Sequence, residues 1–463
     1  MIPRLKSLSL FGLEAEVVDI EVDIHRGMPA FVIVGLGDAA IQESKERIRS
    51  AIKQSNFTFP NARICVNLAP ADLRKHGPRF DLAIALGILH RSGQITLPSD
   101  IDQSILVGEL SFNGTLRSVT GALPTASESA KQQFKSIFVP ESNKAEASLI
   151  EDISVYGIKN LEEVADHFSG LTSITPAPPT TFLSQAPTLN QDWDLKHIKG
   201  NEHGKRALEI SAAGNHNLLM TGPPGSGKTM LAQSIGTILP PLSIEEALEV
   251  TKIHSVAGLT NEGCSVVAER PFRSVHHTAS NISIVGGGNP PKPGEISLAH
   301  RGILFLDEFP EFPIKTLEVL RQPLEDGKIT ISRAAGSCTY PAKMMLVAAM
   351  NPTPSGYPVG DPKCTSSPFE IQRYQNKLSG PILDRIDIHI SVPRIPIEKL
   401  QSLEEGETSD VVRARVITAR ESQGKRFKDL SIYTNAEMSS QAVKEFCVLE
   451  DDSQKLLKQA AEQ

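Results

Sequence analysis

The spacing of apolar and polar residues at the start of the chain predicts alternating strands and helices. Residues 15–24 carry an acid at every second or third position, which is typical of a half-exposed strand, and residues 31–34 form a short buried strand. A helix is expected to begin after Asp38, whose side chain can cap it, and to run to about Ser55. Its apolar residues are spaced to share one face: Ile41, Ile48 and Ile52.

The alternation continues through the next part of the chain. Residues 62–70 predict another strand, and residues 80–93 predict a buried helix. Asn113-Gly114 separates two apolar runs within 104–119, which predicts a β-hairpin because this dipeptide favours tight hairpin turns. Together these elements indicate a mixed α/β domain.

A segment rich in Pro, Thr and Ser, residues 171–192, has no apolar period and is predicted to be a linker. Beyond it, three apolar runs end in glycine or polar residues: 216–222, 303–309 and 344–352. Such runs predict the buried strands of a parallel sheet, which presents its site at the carboxyl edge. From about Ile397 the chain becomes charged and helix-forming.

Composition narrows the class of protein. At about 150 residues per domain, a chain of 463 residues allows roughly three domains, and its net charge of −7 excludes a globally basic nucleic-acid binder. No run approaches the roughly 18 apolar residues of a membrane span, so no membrane association is expected. The cysteines contain no CxxC pair, which favours a reducing, cytoplasmic setting: Cys65, Cys264, Cys338, Cys364 and Cys447.

One motif identifies a phosphate-binding loop. It fits G-x-x-x-x-G-K-[ST] and stands between a predicted strand and a predicted helix: Gly222, Pro223, Pro224, Gly225, Ser226, Gly227, Lys228 and Thr229. Glycines let backbone N–H groups surround phosphates, and the lysine reaches the β- and γ-phosphates. We therefore expect ATP here, with the Thr229 hydroxyl as a Mg²⁺ ligand.

Polar residues at the ends of later strands supply the remaining chemistry. Asp307 is expected to hold Mg²⁺, and Glu308 to act as general base on the attacking water. Asn351, at the end of the third strand, is expected to sense the γ-phosphate. Arg385 has two open interpretations: an arginine finger for a neighbouring subunit, or a surface salt bridge to Asp384 or Asp387.

These motifs together resemble an AAA+ ATPase. Residues 272–302 and 320–352 resemble its magnesium-chelatase-like branch, and the first 170 residues resemble the Lon-protease-like domain of the YifB/ComM family. The resemblance implies a Lon-protease-like (ribosomal protein S5-like) α/β domain at 1–170. After the linker at 171–192 it implies an AAA+ P-loop core at 193–396 and a partial helical lid at 397–463.

The resemblance also implies a homo-hexameric, ATP-driven DNA motor for branch migration during recombination of incoming strands. An insert within 272–298 and a hairpin at 327–341 would then face DNA in the pore. Residues 270–301 carry four basic residues against one acid, and residues 326–343 carry three against one. Basic loops suit contact with phosphates, and the candidate DNA contacts are Lys292, Lys328 and Arg333.

The sequence departs from the family pattern in two places. Relatives usually carry four cysteines between the Asn strand and the arginine finger, where this chain has Thr353, Ser355, Cys364 and Ser366. No metal knuckle is therefore expected. The lid is expected to be truncated, because the resemblance places a late helical arginine beyond Gln463.

Three other interpretations are set aside. Residues 35–40 match the dinucleotide fingerprint G-x-G-x-x-A, but the next strand offers Asn67 and no acid for the ribose. A Lon-type peptidase needs a nucleophilic serine where this chain has Arg79, so the N-terminal domain is expected to be a non-proteolytic scaffold. His276-His277 suggests a metal site, yet no further ligand follows at a suitable spacing.

Two functions of different classes remain. The first is the hexameric DNA motor or helicase, using ATP and Mg²⁺, with branched or single-stranded DNA and recombination proteins as partners. The alternative is a magnesium-chelatase-like AAA+ chaperone that remodels a protein partner. The chelatase version is weaker because no integrin-like metal domain or acidic linker follows the core.

Overall fold

A computed structural model describes residues 4–180, 193–260, 266–288, 290–333, 336–395, 406–428, 430 and 432–462. The N-terminal strands are β1 Leu5–Phe11, β2 Glu14–His25, β3 Ala30–Val34, β4 Arg63–Ala69, β5 Ser104–Leu106, β6 Glu109–Leu110, β7 Leu116–Arg117, β8 Ser136–Pro140 and β9 Ser154–Ile158. The helices of this part are α1 Ala39–Gln54, α2 Asp81–Arg91, α3 Ala122–Lys131, α4 Lys144–Ala147 and α5 Leu161–Phe168.

These elements form a domain around a seven-stranded mixed sheet of order β3-β4-β2-β1-β5-β8-β9. The predicted helix after Asp38 is confirmed as α1, because the Asp38 carboxylate accepts the N–H of Ile41 at 3.0 Å and the helix ends before Ser55. The predicted hairpin at Asn113-Gly114 is confirmed as β6–β7, but it is short. The run before it divides, and β5 joins the large sheet parallel to β1 and β8.

The second part of the chain contains strands β10 Leu218–Thr221, β11 Phe272–Val275, β12 Gly286–Gly287, β13 Lys292–Pro293, β14 Ile303–Leu306, β15 Lys328–Arg333, β16 Gly336–Pro341, β17 Met345–Met350 and β18 Ile388–Ser391. Its helices are α6 Glu202–Gly214, α7 Lys228–Ile238, α8 Ile244–Ala257, α9 Asn281–Val285, α10 Glu295–Leu298, α11 Ile314–Val319, α12 Arg321–Asp326, α13 Pro368–Gln375, α14 Gly380–Leu383, α15 Ser409–Arg426, α16 Ser440–Phe446 and α17 Asp451–Ala461.

Five of these strands form a parallel sheet of order β11-β14-β17-β10-β18. The three strands predicted from apolar runs are its centre, where all residues of β14 and β17 are buried. The edge strands β11 and β18 were not predicted, because each is half-exposed and has no continuous apolar run. The phosphate loop follows β10, so neighbouring strands deliver their carboxyl ends beside it.

The helix α15 packs on the core of the parallel-sheet domain. Val412 and Val416 are buried in the same cluster as Leu208 and Leu231, and the Ser409 hydroxyl accepts the N–H of Leu195 at 2.9 Å. The predicted helical character of the C-terminal part is confirmed, and α17 has no buried residue. The linker segment 171–180 has no helix or strand, and the rest of it lies outside the described residues.

Among the described residues, the two domains touch around helix α3 and around the start of β2. Helix α3 packs against α8, where Lys252 donates to the Ser127 hydroxyl at 2.9 Å and the Ser255 hydroxyl donates to buried Glu146. The turn between β1 and β2 meets the β15–β16 hairpin, because a Cβ at Gly336 would lie 2.9 Å from the Phe11 ring. The N-terminal domain therefore supports one side of that hairpin.

Candidate functional site

The phosphate loop connects β10 to α7 at the carboxyl edge of the parallel sheet. A Cβ at Gly222 would lie 2.2 Å from the carbonyl oxygen of Val392, so this position accepts only glycine without a backbone shift. Gly225 and Gly227 have φ of +73° and +92°, which favour glycine because a Cβ is strained there. The loop therefore has the backbone that the motif predicts.

Lys228 is almost fully buried in this loop, with 8 % of its surface exposed. Its ammonium donates to the carbonyl oxygens of Gly222 at 2.7 Å and Pro223 at 3.0 Å, and to Oδ1 of Asn351 at 3.3 Å. Burial lowers the pKa of Lys228, and the negative charge of Asp307 partly opposes this shift. The structure thus brings the lysine and the predicted sensor Asn351 together.

The two predicted Mg²⁺ ligands also meet. The Thr229 hydroxyl donates to Oδ2 of Asp307 at 3.1 Å, although the two residues come from α7 and from the end of β14. Oδ1 of Asp307 accepts the N–H of Glu308 at 2.9 Å, which orients the carboxylate. A hydroxyl and a carboxylate oxygen are the donor set that Mg²⁺ prefers, so the residues fit this ion.

Ser226 and Asn201 extend the phosphate site. The Ser226 hydroxyl is buried and has no hydrogen-bond partner within the described part of the chain, as a group reserved for a phosphate oxygen would be. Asn201, which sequence reasoning missed, donates from Nδ2 to the carbonyl oxygen of Ser226 at 3.2 Å. Asn201 directly precedes α6 and has a left-handed backbone with φ of +54°, which is uncommon for a residue other than glycine.

Glu308 directly follows Asp307 and has a left-handed backbone with φ of +52°, which is uncommon for a residue other than glycine. Its Oε2 lies 2.9 Å from Nδ1 of His277. The rings of His276 and His277 are tilted by 36° to each other, with centroids 4.1 Å apart. His276-His277 was set aside as a metal site because no further ligand follows at a suitable spacing in the sequence. That reason was wrong, because the fold brings a third candidate ligand, Glu308, to the two histidines.

The parallel register explains why the sequence did not reveal this contact. Val275 of β11 pairs with Leu306 of β14, so the residues that follow the two strands emerge side by side. The contact could have been predicted only from the pairing of the edge strand β11 with β14, and β11 itself had not been predicted.

Arg385 is exposed and makes a salt bridge, but neither Asp384 nor Asp387 is the partner. Its Nη2 lies 2.9 Å from Oε1 of Glu325 in α12, which also binds Arg321. Asp387 instead accepts the N–H of Asn217 at 3.0 Å. The predicted salt-bridge partners were wrong because the chain turns after α14 and directs Arg385 toward α12.

The four positions at which the family resemblance predicted cysteines lie close together: Thr353, Ser355, Cys364 and Ser366. The hydroxyls of Thr353 and Ser355 are 3.0 Å apart, and the Ser355 hydroxyl donates to the Cys364 sulfur at 3.6 Å. The N–H of Ser355 donates to the Ser366 hydroxyl at 3.0 Å. Hydrogen bonds therefore join the segments 353–355 and 364–366.

Most of the basic residues counted for DNA contact in 270–301 have partners within the domain. Arg270 binds Glu246 at 2.8 Å, Arg273 binds Glu295 at 2.5 Å, and Arg301 binds Glu249 at 2.9 Å. The inference from their summed charge was therefore wrong for these three arginines. Lys292, in β13, is exposed.

The predicted hairpin at 327–341 is confirmed as β15 paired with β16. One face is buried: Ile329, Ile331, Cys338 and Tyr340. The other face exposes Lys328 and two cross-strand hydroxyl pairs: Thr330 with Thr339 at 3.2 Å, and Ser332 with Ser337 at 2.9 Å. Arg333 occupies the last position of β15, opposite Gly336, and its side chain lies outside the described part.

Arg79 and Asn67, on which the peptidase and dinucleotide interpretations were set aside, both bind other groups of the N-terminal domain. The Arg79 guanidinium is buried and donates to the carbonyl oxygens of Leu8 at 3.3 Å and Thr120 at 2.8 Å, and burial lowers its pKa to about 10. Asn67, at the candidate ribose position, donates to Glu21 at 3.0 Å.

Among the described helices, none has the length and hydropathy needed to cross a membrane.

Comparisons with known proteins identify the family. Three family profiles match along the chain: "Magnesium chelatase, subunit ChlI" at residues 194–400, "Subunit ChlI of Mg-chelatase" at 20–143, and "Magnesium chelatase, subunit ChlI C-terminal" at 406–463. A more distant relative is the DNA replication licensing factor MCM6 of Arabidopsis thaliana, 25% identical over 50% of the chain and 24% of that protein.

Two relatives match over nearly the whole chain. The YifB protein of Escherichia coli K12 is 44% identical over 95% of the chain and 85% of its own length. Competence protein ComM of Haemophilus influenzae is 44% identical over 98% of the chain and 88% of its own length. The chain therefore belongs to the YifB/ComM family of magnesium-chelatase-like proteins.

Proposed function

We propose that the chain is an ATP-dependent, hexameric DNA motor that promotes branch migration during homologous recombination in natural transformation. The observation that carries the ATP-dependent part is the contact between the Thr229 hydroxyl and Asp307 at 3.1 Å, within a phosphate loop that also buries Lys228. The DNA-directed part is supported by the names of two relatives: ComM is a competence protein, and MCM6 is a DNA replication licensing factor.

Each site residue has a role in this proposal. Lys228 binds the phosphates, and Thr229 with Asp307 would hold Mg²⁺, which supplies neutralisation of the phosphate charge. Asn351 contacts Lys228 and senses whether a phosphate has replaced that contact. Glu308 takes the proton of the attacking water, and to do so its carboxylate has to turn from His277.

Arg385 is proposed to act on the nucleotide of a neighbouring subunit. Its guanidinium is exposed, and a permanently charged planar donor suits a γ-phosphate presented across an interface. Its present partner, Glu325, belongs to α12, the helix directly before the β15–β16 hairpin. A phosphate that draws Arg385 away from Glu325 would therefore release α12 and transmit the nucleotide state to the hairpin.

The hairpin is the proposed DNA contact. Its exposed face offers Lys328 and a double row of hydroxyls, which bind phosphate oxygens without reading base sequence. Lys292 and Arg333 are the further proposed contacts. The N-terminal domain, whose Phe11 packs at Gly336, is proposed to be a non-proteolytic scaffold for the hairpin.

A second candidate is an assembly ATPase that remodels a protein partner. It is favoured by the matched profiles, which are those of a magnesium chelatase subunit. The same ATP site would serve both functions, so only the partner distinguishes them.

The test measures the ATPase rate of the hexameric protein with and without single-stranded DNA and a four-way junction, alongside strand exchange on a branched substrate. Lys228→Ala defines the background rate. Stimulation by DNA together with strand exchange is the expected result. ATP hydrolysis that DNA does not stimulate, in a hexameric preparation, would exclude the DNA motor and favour the assembly ATPase.

A further inference from the structure

Two imidazoles and a carboxylate converge beside the phosphate loop. One ligand atom from each of His276, His277 and Glu308 lies within 4.8 Å of the others. The closest approach is 2.9 Å, between Nδ1 of His277 and Oε2 of Glu308. The parallel pairing of β11 with β14 fixes this juxtaposition, since both segments leave the sheet at the same edge.

The surroundings orient the two rings. Nδ1 of His276 lies 2.9 Å from the Thr278 hydroxyl and 3.4 Å from the backbone nitrogen of Thr278, so Nε2 can bind an ion in the tautomer in which Nδ1 carries the proton and donates to the hydroxyl. The edge of the His277 ring meets the buried Phe312, with centroids 6.5 Å apart. Nδ1 of His277 makes no well-aligned hydrogen bond within the described part of the chain, although it faces Glu308.

We propose that His276, His277 and Glu308 bind a transition-metal ion of the Zn²⁺ class, and that this ion inhibits ATP hydrolysis. The inhibition rests on the proposed role of Glu308, because a carboxylate that coordinates metal is withdrawn from the attacking water. The binding of the ion does not depend on that role. Two histidines and one carboxylate leave a fourth position for water, which is a common open Zn²⁺ arrangement.

The distances are compatible with such an ion. Zn²⁺ binds nitrogen and oxygen at about 2.0–2.2 Å, so its ligand atoms lie about 3.3–3.5 Å apart in a tetrahedral site. The pair at 2.9 Å has to open slightly, and the widest separation, up to 4.8 Å, has to contract. His276 and Glu308 are exposed, so small rotations of their side chains can make this adjustment.

The site is chemically distinct from the Mg²⁺ position. Thr229 and Asp307 offer oxygen alone, the donor that Mg²⁺ prefers, whereas imidazole nitrogens select Zn²⁺, Co²⁺, Ni²⁺ or Cu²⁺. Excess Mg²⁺ should therefore leave the proposed site free. The two sites share one backbone segment, since Asp307 and Glu308 are adjacent.

The test titrates the full chain with Co²⁺, without nucleotide and in excess Mg²⁺, and follows the visible absorption of the coordinated ion. The variants are His276→Gln and His277→Gln. The matched control is His25→Gln, because His25 also faces a carboxylate, Asp23, at 3.0 Å on an exposed surface of the N-terminal domain. Two separate histidine variants keep the test decisive if one of them fails to fold.

The expected result is one Co²⁺ per chain that wild type and His25→Gln bind equally, and that both site variants bind at least about tenfold more weakly. Zn²⁺ should inhibit Mg²⁺-dependent ATP hydrolysis by wild type, and the inhibition constant should rise by a similar factor in the site variants. Equal Co²⁺ binding by all four proteins would overturn the metal site. Wild-type Co²⁺ binding without any ATPase activity would instead refute the proposed function and leave the site standing.

Discussion

Oδ1 of Asn351 lies 3.3 Å from Nζ of Lys228, although 123 residues separate them along the chain. The contact arises because β17 and β10 are parallel neighbours, with Met350 opposite Thr221, so both strands end beside the phosphate loop. The buried ammonium is held by two carbonyl oxygens and this amide oxygen. A bound phosphate would replace these three neutral acceptors with a negatively charged one.

Replacing Lys228 by alanine should weaken ATP binding by at least about tenfold, the effect of losing one charge-assisted hydrogen bond to phosphate. The fold should persist, because the substitution also removes the cost of burying an ammonium. Equilibrium binding of a fluorescent ATP analogue measures the change. The control is Lys131→Ala, an exposed lysine paired with Glu128 on α3, which should bind ATP like wild type. Unchanged affinity in Lys228→Ala would remove the lysine from the phosphate site.

Glu308→Gln should retain ATP but hydrolyse it at least about 100-fold more slowly, because an amide cannot accept the proton of the attacking water. Single-turnover hydrolysis and nucleotide affinity are measured on the same preparation. Glu311→Gln is the matched control, since Glu311 is an acid of the same segment that pairs with Lys377 at 3.0 Å. Normal turnover by Glu308→Gln would assign the general base to another group.

Arg385→Ala should abolish hydrolysis in the hexamer while leaving the nucleotide affinity of the monomer within about twofold of wild type, because the arginine acts across the interface. Glu325→Gln removes the partner of Arg385 and leaves the arginine in place. This variant should hydrolyse ATP but lose stimulation by DNA, since the link to α12 is broken. A large loss of monomer affinity in Arg385→Ala would place the arginine in its own subunit's site.

The parts of the site that the sequence predicted are those encoded locally. The phosphate loop has its glycines at fixed spacing, and Gly225 and Gly227 are needed for their backbone angles. The central strands are continuous apolar runs because both faces of a parallel sheet are buried. Asp307 could be assigned because it directly follows such a run.

What could not be predicted depends on long-range pairing. His277 meets Glu308 only because a half-exposed strand of four residues pairs in one register with β14. The positive charge of residues 270–301 was a poor guide to DNA contact for a similar reason. Counting residues along the chain does not reveal that Arg270 and Arg301 are paired with acids of α8.

Lys328→Ala should weaken the binding of single-stranded DNA and reduce its salt dependence. Removal of one lysine–phosphate interaction should lower the slope of log K against log salt by about 0.7. The weakening should be similar for unrelated sequences, because Lys328 and its neighbouring hydroxyls contact phosphates. Fluorescence anisotropy over a range of salt concentrations gives the slope. Lys53→Ala, an exposed lysine at the end of α1 in the N-terminal domain, should keep the wild-type slope. Equal slopes for both variants would exclude the lysine as a DNA contact.

A charged network at the base of the hairpin, in which His300 is buried and Glu249 is nearly half exposed, should make stability depend on pH. Glu249 accepts from Nε2 of His300 at 3.1 Å and from Nε of Arg301 at 2.9 Å. The hydrogen bond from His300, with that from Arg301, lowers the pKa of Glu249 from 4.5 to about 2, although burial opposes the shift. The other charged groups that interact with the network are Glu246, Lys252, Arg270, Lys343 and Glu437.

Since the folded pKa of Glu249 is below the unfolded one, its stabilising effect is complete above about pH 5 and is lost as the pH falls toward 2. Glu249 is partly exposed, so the effect is discounted to about 1 kcal/mol. Glu249→Gln should therefore lower the thermal midpoint by about 2–4 °C at pH 7. The difference from wild type should shrink as the pH falls below 4, because wild type then loses the same charge. Glu43→Gln, at an exposed position of α1, should follow wild type throughout. A difference that stays constant from pH 7 to pH 3 would show that the glutamate contributes through packing and not through its charge.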